Sequence, residues 1–302
     1  MNSKAKRTSC YVLILLSSGL CREGIAQQSQ IENAVFWEVS GNGLSKSSYL
    51  FGTFHLLGNL YVDSLTNVID KFNQSETVAG EMIIDTAAIM KIWPATQLKG
   101  TTLSRLLSPE DYRKVSELVK EVSGFDLQIL NTTNPISVQL LIILSMQRAY
   151  YPMDPSKDIS MDLYFQNTAK KNGKKIIGLE SLDDQLNALY GQFTDERQAE
   201  LLVEFVANKD KVYEEMVRMN KLYRQQDLAE LEKLMMSSNS YNDTESEVLL
   251  DNRNKNWMKQ LPDLFKNNNT FVAVGAMHLA GKNGLVNLLR QQGFKVTPLS
   301  LK

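Results

Sequence analysis

The chain has 302 residues, 34 acidic against 33 basic side chains, and a formal charge of −1, with 43% hydrophobic and 22% charged residues. These are values of a globular protein, without the basic excess or Arg-plus-aromatic clustering of a nucleic-acid surface. Two cysteines exclude a cysteine-rich framework, and two histidines make each histidine worth placing.

The first stretch, MNSKAKRTSCYVLILLSSGLCREGIA, runs from Lys4, Lys6 and Arg7 through an apolar run to the small residues Gly24 and Ala26. That order reads as a secretory leader over residues 1–26, and the apolar run is too short to span a membrane. A lipid anchor would use Cys21, but bulky Leu20 directly before it disfavours that reading. Cleavage after Ala26 would remove both Cys10 and Cys21. The expected mature chain, residues 27–302, is then one cysteine-free domain, periplasmic or secreted, with no transmembrane segment. Such a chain is held together by burial rather than disulfides.

Beyond the leader, NAVFWEVSG and SSYLFGTFH predict a hairpin with strands at 34–39 and 47–52. Leu65, Val68, Ile69 and Phe72 recur at helical spacing, and ETVAGEMII reads as a buried strand ending near Glu81. LSPEDYRKVSELVKEVSG predicts a helix with Ser108 as N-cap, Pro109 at its first position and Gly124 as its stop. NPISVQLLIILSMQRAY predicts an apolar core helix. ISMDLYFQNTAKKNGKKIIGLE predicts a helix ended at Gly173 and then a strand to Glu180. From Thr194 as cap, TDERQAELLVEFVANKDKVYEEMVRMNKLYRQQDLAELEKLMM reads as one long helical tract. The end returns to alternation: a strand in NTFVAVGAMH, a helix closed by Gly293, and a last strand in FKVTPL. The expected fold class is mixed α/β: a central sheet built from N- and C-terminal strands, with a large helical insertion over about 100–260. Strands that bracket a helical middle must share one sheet to bury their apolar faces.

Both histidines stand in the same pattern, G-x-x-H-L-x-G: Gly52 to Gly58 around His55, and Gly275 to Gly281 around His278. Each follows a predicted strand, and ligands of α/β folds gather where strands end. The plain alternative is a pair of core histidines at tight turns. The matching settings favour function instead, because imidazole is both a metal ligand and an acid/base near neutral pH. Glu81 ends a strand and joins His55 and His278 in an expected 2-His-1-Glu site for a divalent metal, zinc among the candidates. Such an ion would acidify a bound water and polarise a carbonyl. Glu180, at another strand end, is a second candidate carboxylate, and Gly52 and Gly275 support the two turns. Asp162 and Arg253, charged residues in helical tracts, are weaker candidates because such residues are usually exposed. The sequence has no H-E-x-x-H, no G-x-S-x-G, no Walker A loop and no dinucleotide fingerprint.

Taken together, YLFGTFHLLGN, VAGE, MDLYFQNTAKKNGKKIIGLES, RNKNWM and VAVGAMHLAGKNGLVNLLRQQGFKV resemble the TraB/GumN family, bacterial relatives of the Tiki proteins. The resemblance runs from about Phe36 to Val296. It implies an α/β fold shared with erythromycin esterase and ChaN-like haem-uptake proteins. It also implies manganese or cobalt as cofactor and a protease-like reaction, as in Tiki members. Asp162, Glu180, Arg253 and Asn254 match further family positions that support the site or orient substrate. The membrane anchor of the Tiki proteins has no counterpart here.

The functional expectation is an exported metal-dependent hydrolase that cleaves peptides or protein termini. His55, Glu81 and His278 would hold the metal, Glu180 would shuttle the proton, and Arg253 would steady the oxyanion or a substrate carboxylate. A metal-free variant uses one histidine as general base. The competing expectation is an envelope protein that binds haem or a peptide signal without turnover. Intact-mass measurement of the protein recovered after export is expected to give a chain that begins at Gln27; an amino terminus retaining residues 1–26 would remove the export reading.

Overall fold

Six strands form one sheet in the order β4-β3-β5-β2-β1-β6. They are β1 (Phe36–Ser40), β2 (Ser48–Thr53), β3 (Thr77–Gly80), β4 (Lys175–Gly178), β5 (Thr270–Gly275) and β6 (Lys295–Pro298). The computed structural model describes residues 33–151, 158–237 and 243–302. The expected leader, its cleavage site, Cys10 and Cys21 lie outside the described residues. No helix among those described is long and apolar enough to cross a membrane.

β1 and β2 form the expected antiparallel hairpin. β2, β5, β3 and β4 are then mutually parallel neighbours, so their carboxyl ends share one edge of the sheet. Parallel central strands are buried on both faces, and β2 and β5 are accordingly continuous apolar runs rather than alternating ones. On one face Phe36, Phe51 and Phe271 meet Phe72 and Phe165, contributed by the helices Thr66–Gln74 and Met161–Lys171. Trp37, one residue on from Phe36, faces the other way, where Arg290 of the helix Leu285–Gln291 lies over its ring. Helices thus cover both faces.

A second apolar cluster joins the helices Pro109–Ser123, Pro135–Tyr150 and Asp195–Ala207 through Val115, Leu118, Ile142 and Leu202. The predicted caps are in place: Ser108 accepts from the Asp111 N–H, and Gly124 closes the helix at φ +76°. Two boundaries differ from the sequence reading. Between about 100 and 260 the described residues are mainly helical, and the expected strand before Glu180 is β4, which pairs with β3, so the sheet also takes a strand from within the insertion. The tract after Thr194 is three helices, Asp195–Ala207, Lys209–Arg224 and Leu228–Ser237. Its first break is at Asn208, whose side chain donates to the Glu204 carbonyl. Its second is at Gln226, which takes a left-handed φ of +58°. Both residues satisfy backbone or turn geometry locally, so the apolar period carries through breaks it does not register.

Gly52 of β2 is pressed against the turn that follows β5. A side-chain carbon there would lie 2.8 Å from the Ala276 Cα and 3.0 Å from Leu279 Cδ1. Gly52→Ala is therefore expected to lower stability by about 1–3 kcal/mol, the usual cost of overpacking, read as a lower denaturant midpoint; an unchanged midpoint would show that the two strand ends are not so closely fitted.

Candidate functional site

The shared edge collects the candidate residues. His55 follows β2, Glu81 follows β3, Glu180 follows β4 and His278 follows β5. Thr53 is level with Gly275, and Gly80 with Ala273 and Gly178, so the four exits begin side by side. The convergence is centred on Gly275. The place its side chain would fill is 3.3 Å from Glu81 Oε1, 3.6 Å from His278 Cδ2 and 4.0 Å from His55 Nε2. The absent side chain leaves a hollow bounded by two imidazoles and a carboxylate.

The two histidines have opposite environments. His278 is 3% exposed, lies 4.4 Å from the Trp257 ring, and bonds through Nδ1 to Asn254 Oδ1 at 2.7 Å. Asn254 donates in turn to the carbonyls of His278 and Asn283. With Nδ1–H donated, Nε2 carries the lone pair, which accepts from Arg253 Nη1 at 3.1 Å. Burial drives the His278 pKa down to about 4, with Arg253 and His55 pushing the same way.

His55 has a side chain that is 67% exposed, and its Nδ1 lies 3.2 Å from Asp162 Oδ2. The other oxygen, Oδ1, accepts from the Thr53 hydroxyl at 2.8 Å. Asp162 stands in the first turn of the helix capped by Ser160, where the unpaired N–H groups favour an anion. The hydrogen bond to Asp162 raises the His55 pKa to about 9 against the effect of its crowded surroundings, with Asp162 and Glu81 adding to the rise. The loop is held from behind: Tyr223 donates to the Gly52 carbonyl at 2.6 Å, its ring stacks on Phe54, and Gln147 donates to the Leu56 carbonyl. His55 Nε2 has no hydrogen-bond partner among the described residues, and it lies 4.0 Å from the place a Gly275 side chain would fill.

Arg253 is the centre of the buried side. Nε donates to Glu180 Oε2 at 3.0 Å, and Nη1 to the Leu249 carbonyl and His278 Nε2, each at 3.1 Å. Nη2 donates to Glu81 Oε2 and Glu180 Oε1, each at 2.6 Å. All five guanidinium donors are used. The Leu249 carbonyl that accepts from Nη1 lies in the π-helical turn Glu247–Asp251. Trp257, four residues on, places its ring 5.0 Å from the guanidinium and donates its indole N–H to Glu180. Glu81 Oε1 accepts from the Gly275 N–H at 2.8 Å, and Oε2 also accepts from Gln185 Nε2 at 3.1 Å. Burial alone would lift the Glu81 carboxyl. His278 when protonated, Arg253, His55 and the Gly275 N–H together hold it at about 2. Glu180 goes the other way: burial raises it more than Arg253 lowers it.

The site differs from the sequence reading in three respects. Asp162 and Arg253 are not exposed helical charges; their side chains are 14% and 13% exposed because each is paired at the site. Glu180 and Arg253, expected as a proton shuttle and an oxyanion donor, have both carboxylate oxygens and every guanidinium donor bonded within the protein. The expected metal triad is gathered, but not as a cage. Among the described residues no group of three His, Cys, Asp or Glu side chains is placed to hold an ion. His278 Nε2 and Glu81 Oε1 are 3.8 Å apart, with the Arg253 guanidinium bonded to both residues. The donor types suit a divalent metal, yet as arranged Arg253 holds the His278 lone pair and one Glu81 oxygen that the ion would need, so the residues do not fit one. Sequence reasoning missed Gln185 and Trp257. Trp257 lies three residues after Asn254 in the quoted RNKNWM, whereas Gln185 carries no local signal.

The buried imidazole gives a pH signature. A histidine kept neutral to about pH 4 when folded, but titrating near 6.5 when unfolded, makes the unfolded chain bind more protons between those values. Stability therefore falls as the pH is lowered through that window. The melting temperature is expected to drop between about pH 6.5 and 4, and His278→Gln should flatten that slope. A slope identical in the variant would mean that other groups cause it.

Residues 35–298 match the model of the TraB/PrgY/gumN family. Among curated proteins no relative is found.

Proposed function

The chain belongs to the TraB/PrgY/gumN family, and on that footing we propose that it is an exported hydrolase of peptides or exposed protein termini. The observation that carries the reading is the hollow at Gly275, faced by the free Nε2 of His55 on one side and the Glu81–Arg253–His278 array on the other. Of the clustered groups, only His55 combines solvent contact with an unpaired ring nitrogen, so it is the group that moves a proton.

In this mechanism Asp162 holds the His55 ring by Nδ1–H, which leaves Nε2 as the base. Nε2 takes a proton from a water as the water oxygen bonds to the scissile carbonyl carbon. The same proton then passes to the leaving nitrogen as the C–N bond breaks, which restores neutral imidazole. Asp162 stabilises the imidazolium formed between the two steps, the role of an orienting carboxylate. Glu81 and Arg253 line the opposite wall as a fixed charge pair. Being already bonded, they need no reorganisation during the reaction. No step passes through a metal ion, because the residues as arranged do not fit one. Export is supported by the order of basic, apolar and small residues in positions 1–26.

A base with pKa near 9 is mostly protonated at neutral pH. The rate of peptide cleavage, kcat/KM, should therefore rise about tenfold per pH unit and level off near pH 9. Asp162→Asn removes the bond that raises the pKa. It should move the plateau down toward the ordinary histidine value of about 6.5 and lower its height. His55→Ala should abolish cleavage, and Gly275→Ala should impair it by filling the hollow. Folded His55→Ala protein with full activity on a peptide library would end this reading.

A further inference from the structure

We infer that Arg253 is the resident cation of the paired G-x-x-H site, and that this chain binds a divalent metal ion there only when that guanidinium is removed. The inference holds whether or not the chain is a hydrolase, since it concerns occupancy rather than turnover.

Three observations carry it. First, two of the atoms that would bind an ion are already held by Arg253: the lone pair on His278 Nε2 accepts from Nη1, and Glu81 Oε2 accepts from Nη2. An ion bridging His278 and Glu81 would displace these bonds and sit beside a permanent positive charge, in a region where both carboxylates are at most 10% exposed and the field is weakly screened.

Second, the guanidinium has no free direction in which to retreat. Its Nε edge is on Glu180, its Nη1 edge is on the Leu249 carbonyl, and its carbon lies 5.0 Å from the Trp257 ring centre. Swinging it away would strand Glu180, whose side chain is 6% exposed, as a buried carboxylate without its cation. Removing one partner of a buried ion pair is far more costly than its presence is beneficial.

Third, the π-helical turn Glu247–Asp251 directly precedes Arg253 and supplies one acceptor to it. The backbone of this turn thus contributes directly to holding the guanidinium. That makes Arg253 a built part of the site rather than a surface side chain that fell into it.

The test is calorimetric titration of manganese, cobalt and zinc chlorides, each alone, into chelator-treated full-length protein. Four proteins are compared: wild type, Glu81→Gln, the double variant Arg253→Met/Glu180→Gln, and that double variant with His278→Gln added. The second substitution neutralises the carboxylate that Arg253→Met would otherwise leave unpaired. The expected result is that Glu81→Gln leaves the weak wild-type binding unchanged. The double variant should bind at least one of the ions at least about tenfold more tightly than wild type, the direction set by loss of a cation a few ångströms from the ion. His278→Gln should erase the gain. A wild-type protein that binds one equivalent of metal and loses about tenfold in affinity with Glu81→Gln overturns the inference, as does a folded double variant with no gain. Should the double variant fail to fold by circular dichroism, the comparison of wild type with Glu81→Gln decides alone: indifference supports the inference and a loss overturns it.

Discussion

Two carboxylates, Glu81 and Glu180, leave adjacent parallel strands and turn into the same buried space, and one guanidinium lies between them and pairs with both. A pair of buried like charges without a counter-ion would drive one carboxyl to take up a proton. Arg253 opposes this by giving one donor to Glu81 and two to Glu180, and it gives its remaining donors to His278 and to the Leu249 carbonyl. Through these bonds, the ends of β3 and β4, the turn after β5 and the π-helical turn before Arg253 become a single hydrogen-bonded unit. In an interior of low dielectric such a network is strong when every member is satisfied.

The same seven-residue pattern serves two opposite chemistries. His278 is enclosed by Trp257, Asn254 and Arg253. A neutral amide accepts its N–H, a cation faces its lone pair, and so the ring is held neutral. His55 stands at the mouth with a carboxylate on its N–H and solvent on its flank, so the ring favours a proton. What separates them is burial, which dominates at His278, and the carboxylate of Asp162, which receives Nδ1 at His55 where His278 has the neutral Asn254. The bland reading of core histidines at tight turns thus describes His278 in part, whereas the His55 side chain is largely exposed and its Nε2 has no hydrogen-bond partner among the described residues.

The site is assembled across two kinds of structure. The sheet brings Glu81, Glu180 and His278 together by strand order alone, since β4, β3 and β5 are parallel neighbours. His55 comes from β2, but its loop is set by helical residues: Asp162 at a helix start, Tyr223 behind Gly52, and Gln147 on the Leu56 carbonyl. Gly52 and Gly275 have separate tasks in this assembly. One allows the strand end to press against the turn after β5, and the other keeps the hollow empty.

What the sequence determined by itself is local and periodic. Ser108, Pro109 and Gly124 mark a helix because capping and φ are properties of neighbouring residues, and the strand-ending glycines mark the two histidine turns for the same reason. The mixed α/β class follows from strands at both ends that must bury their faces against each other. Only the tertiary structure decided the rest. No spacing along the chain could show that Arg253 would be shared by Glu81 and Glu180, because those contacts join residues more than seventy positions apart. Nor could it show that Asp162 would leave the exposed side of a helix to hold His55, or that Gln185 would reach Glu81. Charge and hydrogen-bond partners depend on distance through space, which the order of the strands sets and the order of the residues does not.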